Sequence, residues 1–250
     1  MKVHQAIYYL IAITGLLLAS MLSCTFKQGL LSNQNTANQT RSLTKPLVTF
    51  IIPTIGRSTL KRTISSLQAQ NNPNWEAIIV FDSLAPQNIT SDPRVKAIQT
   101  FTARQYNYGG EVRNQGMAQV TTPWIAFVDD DDALSPDYID HLLAESRQCP
   151  DLETVVFRMY HPTLKRIIPA PEQTNLAQGH VGISFCMKTS LYQAGFKFTP
   201  GPTEDFQLLD KIQKAGHKMV LSPYVTYWIR GATKQPGELP EHTYTRVYIN

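Results

Sequence analysis

Three apolar, β-branched runs that each stop at a polar residue constrain this chain more than any other feature. They are LVTFIIPT (Leu47 to Thr54), AIIVFDS (Ala77 to Ser83) and WIAFVD (Trp124 to Asp129). Continuous apolar runs of this length suit strands buried on both faces. VKAIQTF (Val95 to Phe101) reads as a third, more exposed strand between the second and third runs. Helices are expected between them. Ser58 to Gln70 carries Leu60, Ile64, Leu67 and Ala69 close to helical spacing, and further helices are expected at Glu111 to Gln119 and Pro136 to Ser146. Strands alternating with helices predict an α/β fold built on a mostly parallel, doubly wound sheet. Open sheets of this kind bind ligands beyond the carboxyl ends of their strands. Pro53-Thr54, Asp82 and the acidic run from Asp129 should gather at that edge.

That run, Asp129-Asp130-Asp131-Asp132, is the most specific chemical signal. Adjacent carboxylates repel one another, so a fold that gathers them at a strand end must offset the cost. Asp132 fits equally a solvated turn capping the next helix or a functional group. Magnesium and manganese favour hard oxygen ligands, commonly one or two carboxylates plus substrate phosphates. A cation held there would neutralise charge on a departing diphosphate.

Four segments together carry a resemblance: PLVTFIIPTIGR, IIVFDS, GGEVRNQGMAQVTTPWIAFVDDDDALSPDYIDHL and GPTEDFQLLDKIQKAGHK. In order and spacing the chain from Pro46 to about Arg230 is similar to the family 2 glycosyltransferases, which have the GT-A nucleotide-diphospho-sugar transferase fold. The resemblance implies an inverting, metal-dependent transfer from a nucleoside-diphosphate sugar to an acceptor hydroxyl. It implies that Pro53 and Thr54 border the nucleoside, that Asp82 bonds the base, and that Arg113 binds the nucleotide. Asp129 and Asp131 match the first and third positions of the family's DxD motif. Asp131 is then the metal ligand, with Asp129 or Asp130 holding the ribose or a metal-bound water.

Glu204-Asp205 matches the family's acidic pair, which implies a catalytic base: Asp205 first, Glu204 as fallback. One carboxylate suffices chemically, because a metal-bound diphosphate leaves without being protonated. The same residues also read as the start of a helix, with Thr203 as its cap and acids at its positive end. The two readings are compatible. Near the C-terminus the pattern departs from the family: YVTYWIRGATK holds Arg230 but no histidine. Arg230 is left as a phosphate ligand or a plain surface arginine. The long C-terminal extension of processive members is absent, so polymer synthesis with extrusion is not expected. UDP- or GDP-sugars are the expected donors, with a glycan, glycoprotein or glycolipid acceptor, and donor choice is expected to depend on Tyr108 and the His161 to Gly182 loop. A nucleotidyltransferase and an inactive, membrane-tethered module binding calcium or a glycan are the competing classes.

The N-terminus adds a location. Ala6 to Ser23 contains no charged residue, and about 18 to 20 apolar residues span a bilayer, against roughly 7 to 15 in a signal peptide. The expected organisation is a tail and signal-anchor helix over 1–24, a polar stem over 25–45, the catalytic domain over 46–232 and a tail over 233–250. The catalytic domain would lie on the non-cytosolic side, in a Golgi-like lumen or cell envelope; secretion after signal cleavage is the alternative. Sequons at Asn38 and Asn88 matter only in a secretory lumen. The net charge of +4 is spread along the chain without an Arg/Lys stripe, which excludes a nucleic-acid partner from the expected set. Cys24, Cys149 and Cys186 lack zinc spacing, and Cys149 and Cys186 are expected as two buried free thiols rather than a pair.

Overall fold

The computed structural model describes residues 45–102, 108–230, 244 and 246–249. The expected anchor, Cys24, the Asn38 sequon and the stem up to residue 44 lie outside the described residues. Among the described residues no helix is long and apolar enough to cross a membrane.

The chain enters the sheet at β1 (Val48–Thr54), turns through α1 (Leu60–Gln68), and returns as β2 (Trp75–Asp82) and β3 (Val95–Thr100). Next come α2 (Gly110–Met117), β4 (Trp124–Phe127), the two-residue β5 (Ala133–Leu134) and α3 (Tyr138–Gln148). The C-terminal half supplies β6 (Thr154–His161), β7 (Arg166–Ile168), β8 (Phe185–Lys188), α4 (Thr189–Gln193), α5 (Glu204–Lys214), β9 (Met219–Trp228) and β10 (Val247–Ile249). The strand order is β10-β9-β6-β8-β4-β1-β2-β3, with β5 on β9 and β7 on β6.

Sheet direction corrects the expectation of a mostly parallel sheet. β4, β1, β2 and β3 are parallel, as are β6 and β9. β8, however, runs antiparallel between β4 and β6, and β5, β7 and β10 also pair antiparallel. The sheet is mixed because a reversed strand joins two parallel blocks. β10 also draws the expected C-terminal tail into the sheet edge.

The apolar runs do form the core. Phe50, Ile51, Ile52, Val80, Phe81, Ile125, Ala126 and Phe127 are fully buried. α1 buries Leu60, Thr63, Ile64 and Leu67, one face at helical spacing. α2 lies on β1 and β2 through Gly116, where a Cβ would come within 2.7 Å of Ile51 and 3.0 Å of Val80. Only glycine permits that approach, and it sets Arg113, one turn earlier, over the strand ends.

The thiols depart partly from expectation. Cys186 is buried and free, whereas Cys149 is free but half-buried, at the C-terminal end of α3.

Candidate active site

Strand register brings the expected residues to one edge. β1 and β2 are paired through Thr54 and Phe81, one residue before Asp82, and β4 pairs with β1 through Ile51 and Phe127. Two residues beyond Phe127, the chain reaches Asp129 beside Pro53. A cavity of about 400 Å³ opens there, lined by Pro53, Thr54, Asp82, Arg113, Asp129 and Asp130, with Arg57, Tyr108, Val112 and their neighbours completing the wall.

The four aspartates separate into two kinds. Asp130 and Asp132 are buried, while the Asp129 and Asp131 side chains remain 34% and 33% exposed. Asp130 accepts from the Thr54 hydroxyl at 2.6 Å and from Arg57 at 3.0 Å; burial pushes its pKa up, against the pull of both partners. Asp132 accepts from the Tyr227 hydroxyl at 2.7 Å and the Arg230 backbone N–H at 2.6 Å. Burial, reinforced by the charge of Asp129, raises Asp132 to about 7. The Tyr227 oxygen in turn accepts the Asp129 backbone N–H at 3.1 Å. Thr63 and Arg62 of α1 donate to the carbonyls of Asp132 and Asp131. Asp132 is therefore a buried clamp on the acidic loop rather than a solvated turn residue.

Asp129 and Asp131, on alternate positions, stay partly exposed as a pair of hard-oxygen donors, Asp129 bridged to Arg113 and Asp131 to Arg57. Among the described residues no group of three or more His, Cys, Asp or Glu side chains is gathered to hold a metal. A divalent ion of the magnesium or manganese type would fit this donor set by completing its shell with water or with other oxygen ligands.

Arg113 connects the acidic loop to the Glu-Asp pair. Its side chain is 5% exposed. Nη2 donates to Asp129 at 2.5 Å, and Nη1 donates to Glu204 at 2.9 Å and to the Tyr108 carbonyl at 3.3 Å. Burial disfavours its charge, but the two carboxylates outweigh that and raise its pKa. Gly109 and Gly110 allow this packing: a Cβ on Gly109 would meet Arg113 at 3.0 Å, and one on Gly110 would meet Phe198 at 3.1 Å.

α5 begins at Glu204, so both acids stand in its first turn. Glu204 is raised by burial, with Arg113 holding it back. Asp205 is also raised chiefly by burial, and the Phe206 N–H it accepts at 2.7 Å opposes that shift. Gly182 lies beside it, its Cβ direction 3.6 Å from Asp205 and blocked by Met159. Thr203 does not cap the helix as expected. It sits in the left-handed region at φ 62° and makes no side-chain cap bond.

Asp82 is held by neighbours. Thr102 donates through its hydroxyl at 2.8 Å and its backbone at 3.2 Å, and Ser83 donates at 3.1 Å. Tyr108 is exposed at the cavity wall. Arg230 is not brought to the cavity: its side chain is exposed, and its backbone is what Asp132 engages.

Two site residues escaped the sequence reading. Arg57 follows the first strand within IPTIGR, where a cation after a buried run was a usable signal. Tyr227 lay in the stretch MVLSPYVTYW, whose proline and serine obscured the strand that buries it.

Known proteins share this fold. The TarS structure from S. aureus (residues 1–349) superposes with a TM-score of 0.58 at 16% identity, over 73% of this chain and 60% of that one. The same protein in complex with UDP-GlcNAc gives 0.55 at 16% identity, over 75% and 59%. In sequence, the putative glycosyltransferase EpsH of Bacillus subtilis (strain 168) is 34% identical over 116 residues, covering 43% of this chain and 32% of the relative. The putative colanic acid biosynthesis glycosyl transferase WcaA of Escherichia coli (strain K12) is 34% identical over 112 residues, covering 41% and 39%. The chain thus matches between about a third and two fifths of the length of these curated relatives. The family description Glycosyl transferase family 2 matches residues 49–211. With more than half its length matched, the chain belongs to glycosyl transferase family 2.

Proposed function

We propose that this protein transfers a sugar, with inversion, from a nucleoside-diphosphate sugar to an acceptor hydroxyl, with Asp205 as the base. The observation that carries the reading is Arg113, whose one guanidinium spans Asp129 and Glu204. A donor diphosphate at the acidic loop and an acceptor at the Glu-Asp pair would then share one cleft.

In this reading the nucleoside lies against Pro53 and Thr54, and Asp82, held as an acceptor by Thr102 and Ser83, takes an N–H of the base. TarS has been solved with UDP-GlcNAc and with UDP, which favours a UDP-sugar over a GDP-sugar. Asp129 and Asp131 would hold Mn²⁺ or Mg²⁺, which supplies charge neutralisation to the leaving diphosphate when bound. Asp205 accepts the acceptor's proton as its oxygen attacks the anomeric carbon. A base whose pKa burial raises from its ordinary value is better matched to that task. Glu204 instead holds Arg113. The acceptor class is a glycan, glycoprotein or glycolipid, and the apolar N-terminal segment would anchor the protein to a membrane, with the catalytic domain on the non-cytosolic side.

The test is transfer from a panel of UDP- and GDP-sugars with Mn²⁺, using wild type, Asp131→Asn and Asp205→Asn. Each variant should lose at least a hundredfold in rate while keeping the wild-type circular dichroism spectrum. Transfer surviving in both variants would overturn the assignment.

A further inference from the structure

Arg57 is the feature that the proposed reaction leaves unexplained. It stands between β1 and α1 in the cavity wall, and its Nη1 contacts Asp130 at 3.0 Å and Asp131 at 3.3 Å. Arg113 and Arg57 each bridge two carboxylates, yet they differ physically. Arg113 is 5% exposed and fixed by two carboxylates and a backbone carbonyl. Arg57 is 49% exposed, and both of its ion pairs run through a single nitrogen. Its pair with Asp131, exposed on both sides, is weak and exchanges readily, whereas the 4%-exposed Asp130 holds the other end.

We infer that Arg57 is a displaceable counter-ion of the acidic loop, which makes divalent-metal binding depend on the donor's diphosphate. The inference rests on the proposed metal role of Asp131. A guanidinium 3.3 Å from Asp131 occupies the neighbourhood a divalent ion would enter. The two like charges repel, so the ion must move Arg57 aside. Without nucleotide, the displaced guanidinium loses its Asp131 contact and gains nothing. With a diphosphate in the cavity, Arg57 finds phosphate oxygens as replacement acceptors, a pairing suited to its fork of donors. Metal and diphosphate then bind cooperatively, and by linkage each raises the other's affinity equally. Asp130, buried and anchored by Thr54, stays in place as the pivot for Arg57.

The experiment measures Mn²⁺ binding to the nucleotide-free protein by electron paramagnetic resonance of free Mn²⁺, and UDP binding at saturating Mn²⁺ by calorimetry. Wild type, Arg57→Gln, Arg57→Lys and Asp131→Asn are compared, each checked by its unfolding midpoint. Arg57→Gln should tighten Mn²⁺ alone about tenfold and weaken UDP with Mn²⁺ by a similar factor. Arg57→Lys keeps the charge but not the fork, so both changes should share its sign and be smaller; it carries the test if Arg57→Gln does not fold. Asp131→Asn should abolish Mn²⁺ binding. Unchanged Mn²⁺ affinity in both Arg57 variants, with binding lost in Asp131→Asn, overturns the role of Arg57 and leaves the metal reading standing. Mn²⁺ binding by Asp131→Asn equal to wild type overturns both.

Discussion

Replacing Arg113 with methionine removes the charge that joins the two acidic segments while keeping most of the side chain's apolar length. The guanidinium has three acceptors, Asp129, Glu204 and the Tyr108 carbonyl, and is 5% exposed. Removing one partner of a buried ion pair typically costs roughly 3–5 kcal/mol, because the other charge is left unpaired. Here Glu204 is 12% exposed and Asp129 34%, so water recovers part of the loss at Asp129. The expected destabilisation at pH 8 is therefore roughly 2–4 kcal/mol. The pH dependence follows from Glu204, whose pKa is already raised by burial and restrained by Arg113. In the variant that restraint is gone and the folded-state pKa rises further. A group whose folded pKa lies above its unfolded value stabilises the fold at low pH and loses that contribution as pH rises. The deficit of Arg113→Met should therefore shrink between pH 8 and pH 5. Urea unfolding in EDTA at both pH values measures it directly. A deficit below about 1 kcal/mol at pH 8, or one that grows on acidification, would refute the view of Arg113 as a buried bridge.

Two other predictions probe the scaffold. Gly116→Ala pushes a methyl group into Ile51 and Val80; overpacking of roughly 1–3 kcal/mol exceeds the helix-propensity gain of about 1 kcal/mol, so thermal unfolding should show a lower Tm, and a higher Tm would show that α2 has room to move off the sheet. Asp92, held by bidentate Arg94, is lowered to about 2, so its stabilising contribution is present above the unfolded value near 4 and lost as pH falls through about 2. Asp92→Asn should cost roughly 1–2 kcal/mol at pH 7, discounted for the partly exposed Arg94, and the gap in urea midpoints should narrow by pH 3; a constant gap would mean that the pair contributes nothing.

The N-terminal half was legible because β1, β2 and β4 are buried on both faces. LVTFIIPT, AIIVFDS and WIAFVD contain almost no polar residue before their ends, so period and boundary coincide. The C-terminal strands were not read because they carry polar residues inside the core. Arg158 is buried in the middle of β6, its Nη1 donating to the Pro169 and Ala170 carbonyls. Ser222 within β9 bonds the buried Glu145, itself paired with Arg246. Such partners come from distant segments, so local pattern reads these strands as loops. The reversed β8 is hidden for the same reason: FCMK is too short to announce a direction.

The site shows a similar division. Residue type and order nominated Asp82 and the aspartate run, because each stands at the end of a buried strand, whereas Arg113 and Glu204-Asp205 were nominated by the family resemblance. What order alone does not supply is which aspartate keeps its oxygens available. That is decided by contacts from β1, β9 and the segment that follows it: Thr54 takes Asp130, Tyr227 and the Arg230 backbone take Asp132, and Asp129 and Asp131 stay about a third exposed while pairing with Arg113 and Arg57. Burying alternate members of the run also lowers the repulsion that four adjacent charges would create, since burial and the charge of Asp129 raise Asp132 to about 7 and so disfavour its ionised form. The acidic loop is thus affordable to the fold because two of its carboxylates serve structure, and that service is what orients the other two.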